Sequence, residues 1–284
     1  MSVEFAETTS APTNLDAHVA LMARCFPGAS HFDYAYLKWL YLENPAGEVV
    51  GVDAWEGTRL VATYVTIPAR LRVEGRSVRG LLSLNTATDP EFQGKGLFTK
   101  LANAVFDLAA SKGFACVYGI ANAQSTPGFT RKLGFELLEP LRAAVGYGDS
   151  YCSNFQRAQG DAGLSREWDA PELQWRMRNP KNPLRSSQVR AGLTEFRAAT
   201  RYKVVGATAH LPGSGASPGR PHLRPAGYVG VVPAAFRQRG AWLDLPERFR
   251  PSPLNLIFKP LQRESSVKLS AGQSFISFLD FDAF

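Results

Sequence analysis

Asp89-Pro90-Glu91-Phe92-Gln93-Gly94-Lys95-Gly96-Leu97-Phe98-Thr99-Lys100 is the stretch that decides the fold of this 284-residue chain. A strand-like run, Val78 to Thr88, precedes it, and Asp89-Pro90 ends that run. Beyond it Leu97, Leu101, Ala104, Val105 and Leu108 mark one face of a helix that closes at Lys112-Gly113. A tight Gln-Gly-Lys-Gly turn therefore opens directly into an amphipathic helix. Gly94 and Gly96 let a ligand approach the backbone with no Cβ in the way. The first-turn N–H groups and the helix dipole make a site sized for a pyrophosphate, with Thr99 as a further donor and Lys95 at the rim. The bland alternative is a glycine-softened corner. Neither a Walker A spacing nor a dinucleotide fingerprint is present, because the third glycine and the later acidic residue are missing.

Working outward, the first half alternates helices and strands. Asn14–Ala23 and Asp33–Leu42 read as helices, the second with Tyr36, Leu37, Leu40 and Tyr41 at helical spacing before Asn44-Pro45. Val49–Trp55, Arg59–Pro68 and Leu71–Val73 read as meander strands with turns at Glu56-Gly57 and Glu74-Gly75. Phe114–Ile120 reads as a buried strand, Phe129–Leu133 as a short helix stopped at Gly134, and Phe135–Tyr147 as strand. In the second half, Gly206–Gly227 is rich in glycine and proline and is expected to be a long loop. Leu173-Gln174-Trp175 before Asn179-Pro180 echoes Leu37-Lys38-Trp39 before Asn44-Pro45, which hints at an internal copy.

Gln93-x-x-Gly96 after Asp89-Pro90-Glu91, then Asn122, then Lys132-Leu133-Gly134-Phe135, resembles the GCN5-related N-acetyltransferase (GNAT) superfamily over residues 14–148. The Tyr36-Leu37-Lys38-Trp39 to Asn44-Pro45 segment is similar to a bacterial branch with a second, degenerate GNAT-like half, some members of which acylate amino sugars. The resemblance implies an α/β fold of α+β type, with a mixed central sheet and splayed parallel strands. It implies a catalytic domain over 1–148 and a degenerate domain over 149–284. The implied co-substrate is acetyl-CoA or another acyl-CoA. Its pantetheine arm would lie between Val78–Thr88 and Phe114–Ile120, against backbone groups of Thr86, Ala87 and Thr88, with Asn122 reaching it. Its pyrophosphate would lie on Gln93, Gly94, Lys95, Gly96, Leu97, Phe98 and Thr99. Separated strands leave unpaired N–H and C=O groups that a peptide-like ligand satisfies. The sequence departs from the family at Phe98, where Gly or Ala is usual, so this side chain is expected to turn away from the ligand. Thr130 stands where many members carry a thiolate-protonating Tyr, and Leu82 and Leu84 where some carry a base.

Catalytic candidates each carry a structural alternative. Tyr118 is core packing or a hydroxyl at the thiolate, and Asn85 a structural hydrogen bond or a substrate contact. Asp33 is a helix N-cap or a base. His31 has the unperturbed pKa of a base near neutral pH, or is a surface residue. Asp280 and Asp282 read as outward residues of a last strand within Phe275–Phe284, and Cys116 as core. Orientation of a neutral amine against the thioester supplies much of the rate without a strong base, and strand N–H groups polarise the carbonyl.

Apolar residues make up 45% and charged residues 20%, an ordinary globular balance. No window reaches 18 apolar residues, and the polar start lacks a secretory pattern. Cys25, Cys116 and Cys152 have no metal spacing, so a soluble, reduced, cytoplasmic and metal-free protein is expected. The net charge of +7 is uneven: residues 1–148 hold 13 Lys/Arg against 14 Asp/Glu, residues 149–284 hold 19 against 11. Fifteen of those 19 cations are arginine, either a solvated compositional bias or a face for an anionic ligand. The expected function is acyl transfer to the primary amine of a small, anionic acceptor such as a nucleotide-linked amino sugar. The alternative is an acyl-CoA-binding module without turnover. Nucleic-acid binding ranks last, since the arginines are scattered and no aromatic-basic motif appears.

Overall fold

Strand pairing crosses the boundary expected at residue 148. The computed structural model describes residues 3–147, 151–190, 192–200, 205–213, 225–238, 241–246, 248, 253–262 and 267–281. Its first half runs β1 (Glu4–Glu7), α1 (Pro12–Cys25), α2 (Tyr34–Tyr41), β2 (Val50–Glu56), β3 (Arg59–Val73), β4 (Arg76–Thr88), α3 (Leu97–Ser111), β5 (Cys116–Asn122), α4 (Thr126–Lys132), β6 (Glu136–Pro140) and β7 (Arg142–Gly146). The second half runs α5 (Phe155–Gly160), β8 (Leu164–Arg166), α6 (Ala170–Met177), β9 (Arg185–Arg190), β10 (Leu193–Ala198), β11 (Gly206–Pro212), β12 (Ala226–Val231), β13 (Trp242–Asp244), β14 (Leu254–Pro260) and β15 (Ser274–Ser277).

The first sheet is antiparallel from β1 through β4, and β5 then joins β4 in parallel. β14, from the far end of the chain, fills the place between β5 and β6, antiparallel to both. The second sheet repeats this plan. β9, β10 and β11 are antiparallel, β12 joins β11 in parallel, and β7 from the first half fills the place between β12 and β13. Each half thus lends one strand to the other. β8 and β15 bridge the sheets, β8 pairing with β3 and β15 with β12.

The Arg59–Pro68 and Leu71–Val73 runs are one strand. Pro68 is tolerated because β2 pairs with β3 only as far as Thr66 and β8 begins at Leu71, so no neighbour on that side asks for its missing N–H. The Phe135–Tyr147 run breaks at Leu141, where the chain leaves the first sheet for the second. The loop expected over 206–227 is corrected: 206–212 and 226–227 are strand, because the glycines there sit in paired β11 and β12. Its middle, 214–224, lies outside the described residues.

α2 and α6 are matched devices. Asp33 caps α2 by accepting from Tyr36 N, and Asp169 caps α6 by accepting from Glu172 N within a capping box. Trp39 and Trp175 stack with centroids 4.8 Å apart, and each indole N–H donates to the other's backbone carbonyl at 2.9 Å. The largest core gathers α2, α6, Tyr118, Phe278 and Phe281, while a second core packs α3 and α4 on the opposite face of the first sheet. Removing one indole leaves a large void and an unmet carbonyl. Trp39→Ala is therefore expected to cost about 3–5 kcal/mol, read by urea unfolding of the full chain. A loss under about 1 kcal/mol would show that the paired helices do not hold the halves together.

Candidate functional site

The strands β4 and β5 part company where the sequence places the site. Their parallel pairing runs from Gly80↔Cys116 to Ser83↔Gly119 and stops. The cause lies on the other edge of β4. Thr63 pairs with Ala87 but Val65 with Leu84, so Asn85 and Thr86 together oppose the single residue Tyr64. Asn85 takes the extra residue's strain with φ 48, a conformation Asn tolerates better than most. Its side-chain amide donates to the Tyr41 hydroxyl at 3.2 Å. Asn85 is thereby tied to α2, and the bulge turns the end of β4 away from β5.

Two cavities lie along β4 on either side of this bulge. One, of about 470 Å³, lies along Thr86, Ala87 and Thr88 and the turn Gln93, Gly94, Gly96, Leu97, Phe98 and Thr99, with Cys25, Phe26, Phe92 and Lys132 completing it. Gly94 and Gly96 both have φ 75, and a Cβ built on either meets no atom within 4 Å. The first intrahelical bond of α3 is Lys100 N to Gly96 O, at 3.2 Å. The amides of Leu97, Phe98 and Thr99 thus have no helical acceptor and face an open, glycine-lined concavity. Phe98 packs edge-on to Phe129 at 5.5 Å and against Gly128, and it also lines the cavity. Lys95 lies over the Phe92 ring at 4.2 Å and is not among the lining residues. Asn122 is also outside the lining: its Oδ1 accepts from the amides of Gln124 and Ser125 and starts α4.

Asp89 fixes the entry to the turn. Its carboxylate accepts from Arg24 Nε at 2.7 Å and Arg59 Nη2 at 2.8 Å, and from Glu91 N. Burial pushes the Asp89 carboxyl up, but these hydrogen bonds outweigh it and hold the group below its ordinary value. A depressed carboxyl stabilises the fold above the unfolded value near 4 and loses that contribution as pH falls through its folded value. Asp89→Asn should therefore lower the melting temperature at pH 7, and the gap to wild type should narrow below about pH 4. A gap constant with pH would contradict this role.

The second cavity, about 320 Å³, lies on the other side of the bulge. Leu82, Ser83, Leu84 and Asn85 of β4 and Ile120 of β5 form its floor, and His31, Phe32, Leu254 and Phe281 its walls. His31 stacks on Phe32 at 4.1 Å and meets Tyr36 edge-on. Burial, and then the Lys181 charge, push the His31 imidazole below its ordinary value.

Of the catalytic candidates, the structure brings Asn85 and His31 to this cavity and leaves the other two outside it. Tyr118 is sealed in the core and donates its hydroxyl to the Asp280 carbonyl, and burial raises its pKa to about 12. Asp33 is the N-cap of α2 and an ion-pair partner of Lys181. Cys116 is core, and burial pushes its thiol up to about 12. Asp280 is not an outward strand residue: it is buried in the turn after β15, accepting from Ser277 N, Ser277 Oγ and Trp168 Nε1. Asp282 lies outside the described residues. The residues that sequence reading missed are Phe32, Leu254 and Phe281. The last two come from strands and turns more than 130 positions away, and no local spacing points to them.

Residues 9–138, a little under half of the chain, match the family model described as "Acetyltransferase (GNAT) domain". Over that stretch the protein carries a GNAT acetyltransferase domain, the domain of an acyltransferase. Among solved structures, a GCN5-related N-acetyltransferase from Anabaena variabilis is similar with a TM-score of 0.64 at 13% identity, over 91% of this chain and 73% of that one. A conserved Enterococcus faecalis protein of unknown function, titled a probable N-acyltransferase, gives 0.60 at 8% identity over 92% and 73%. Eis1 from Mycobacterium abscessus gives 0.53 at 10% identity over 75% and 59%. At these identities the likenesses speak for the fold. No curated protein sequence matches the chain. Among the described residues no helix is long and apolar enough to cross a membrane, and no cluster of His, Cys, Asp or Glu could hold a metal ion.

Proposed function

We propose that the protein transfers the acetyl group of acetyl-CoA to the primary amine of a small acceptor, with the two cavities at the Asn85 bulge as donor and acceptor sites. The observation that carries this reading is the parting of β4 from β5 beside a glycine turn with free helix N–H groups. The residues fit the group. Gly94, Gly96 and the amides of Leu97–Thr99 offer a concavity for a diphosphate. Leu84–Thr88 make no strand pairing on the β5 side, which leaves main-chain groups for a peptide-like arm.

The chain's own part in the reaction is to bind, align and move protons. His31, neutral at pH 7 by its lowered pKa, accepts a proton from the acceptor's ammonium. The freed nitrogen attacks the thioester carbonyl carbon, a C–N bond forms and the C–S bond breaks. One of the two protons then on that nitrogen goes to the departing thiolate, the other stays in the amide, and His31 returns its proton to water. Around His31 the facing groups are Phe32, Tyr36 and the Lys181–Asp33 pair. His31→Gln should lower kcat about a hundredfold and abolish the acid limb of the pH–rate profile while leaving the KM for acetyl-CoA. An unchanged acid limb would remove His31 from the proton path.

The second half reads as a diverged copy of the first, from the recurrence of a capped Trp helix, three antiparallel strands and a parallel fourth. Only 13 residues join β11 to β12, against 27 between β4 and β5, too few for a helix like α3 with its connections. One acetyl-CoA per chain is therefore expected by calorimetry, and two would contradict it. An anionic, nucleotide-linked amino sugar is the acceptor that the charge split favours. Two of those arginines, however, are buried: Arg166 lies over Trp168, and Arg176 donates to backbone carbonyls. Thiol release from acetyl-CoA with a panel of amines tests transfer itself. Binding of acetyl-CoA with no release for any amine would favour the alternative, a binding module without turnover.

A further inference from the structure

Resting on that reading, we infer that Ser83 is a catalytic residue that passes a proton to the departing sulfur, and that Tyr64 is the positioning residue that aims it. Ser83 is the last residue of β4 to pair with β5, opposite Gly119, so it stands where the two strands part. Leu82 and Leu84 on either side of it turn toward the core that holds α2 and α6. Ser83 turns to the other face, where Tyr64 packs with α3. There Tyr64 meets Phe98, which lines the cavity along the glycine turn, while Ser83 lines the His31 cavity. The hydroxyl pair therefore stands between the two sites. Gly119 presents no side chain to cover it, and a Cβ built there would lie 3.3 Å from that of Ser83.

The direction of the Tyr64–Ser83 hydrogen bond follows from what each hydroxyl can reach. Tyr64 is fully buried, and among the described residues Ser83 Oγ, 2.9 Å away, is the one polar atom its hydroxyl meets. A buried O–H with no acceptor is costly, so Tyr64 donates and Ser83 accepts. Burial pushes the Tyr64 hydroxyl above its ordinary value, so its proton stays in place at neutral pH. Ser83 is half-buried, and a serine hydroxyl has one proton and two lone pairs. Tyr64 takes one lone pair. The proton and the other lone pair remain for the cavity. The hydroxyls of the neighbouring helix α4 are spent on their own backbone, Thr126 donating to Asn122 O at 2.7 Å and Thr130 to Thr126 O at 3.0 Å.

A free proton beside a free lone pair suits the exchange that amide formation requires. As the C–S bond breaks, Ser83 gives its proton to the sulfur and takes one of the two protons on the attacking nitrogen. The hydroxyl is restored, the amide keeps the other proton, and no charge is left on the chain. Nitrogen and sulfur are bonded to the same carbon at that moment, so a single hydroxyl reaches both.

The test follows the thiol of bound CoA, because a donor aimed at the sulfur favours its thiolate. CoA isotopically labelled at the carbon beside the sulfur is titrated by NMR on the full chain, as wild type and as Ser83→Ala. Loss of the donor is expected to lower the thiol's ionisation constant about tenfold, the scale of one hydrogen bond to a charged group. Tyr64→Phe should lower it by less, and Ser83→Thr should keep the wild-type value. Adding Tyr64→Phe to Ser83→Ala should change nothing further, since Tyr64 acts through Ser83. With an amine that wild type acetylates, Ser83→Ala should lower kcat by at least about tenfold and leave the KM for acetyl-CoA unchanged. If Ser83→Ala fails to fold, Tyr64→Phe against wild type decides by the same titration. Equal ionisation of bound CoA with and without the Ser83 hydroxyl overturns the inference and leaves the donor site standing. A Tyr64→Phe effect that persists beside Ser83→Ala overturns the positioning role of Tyr64. If wild type binds no CoA, the transferase reading falls and this one with it.

Discussion

Gly96→Val is expected to weaken CoA binding by more than about a hundredfold, which is about 2.7 kcal/mol. Gly96 is the N-cap of α3 with φ 75, ψ 10, and the space a side chain would enter is empty of protein atoms. A valine there blocks the approach of a diphosphate to the amides of Leu97–Thr99. It also strains the backbone, since the left-handed region costs a β-branched residue about 1–2 kcal/mol. Gly113 separates the two effects. It lies just beyond the other end of α3 with φ 78 and equally open surroundings, far from the cavity lining. Gly113→Val should lose similar stability and keep its affinity for CoA. Equal losses of affinity in both variants would mean that strain in α3, not exclusion from the turn, explains the result.

Arg176→Met is expected to have the largest effect on both stability and acceptor use. The methionine fills much of the same volume but leaves the carbonyls of Phe278, Leu279 and Phe281 without this donor. Each buried carbonyl left unmet costs about 1–3 kcal/mol, so the turn after β15 loosens or the chain unfolds. Burial, and then Arg166, push the Arg176 guanidinium down to about 10, still charged at neutral pH. In the folded variant the KM for the amine should rise while that for acetyl-CoA changes little, since Phe281 lines the His31 cavity proposed for the acceptor and not the one along the glycine turn. Tyr118→Phe, which frees one carbonyl, should show a milder form of the same split. A parallel rise in both KM values would contradict the assignment of this turn to the acceptor side.

The glycine turn before α3 was legible in the sequence and the wall of the second cavity was not, for a physical reason. Gln93–Thr99 is a local device: two glycines and a helix start, seven residues long, whose chemistry depends on near neighbours alone. The caps behave the same way, and Asp33 before Tyr34–Tyr41 was readable for that reason. The wall of the second cavity depends on strand exchange. Leu254 reaches Ile120 because β14 pairs beside β5, and nothing in the composition of 254–260 says which sheet it joins. The charge split is a coarse guide for a related reason. Arginines count alike in a sequence, but Arg176 spends its donors on buried carbonyls and Arg166 lies over an indole. The Trp echo was visible in the sequence, whereas the reciprocal Trp39–Trp175 bonding that makes it an interface required both helices to be seen together.

The claim that the Asn85 bulge joins a donor site to an acceptor site is tested most directly by a crystal structure of the chain with CoA. The diphosphate is expected on the amides of Leu97, Phe98 and Thr99, the pantetheine arm along Thr86–Thr88, and the sulfur at the bulge beside the His31–Phe281 cavity. A roomier cavity of about 670 Å³ stands elsewhere in the molecule, between Glu7–Ala11, Arg79, Lys112 and Phe114. CoA bound there, with the Gln93–Thr99 turn left bare, would contradict that claim.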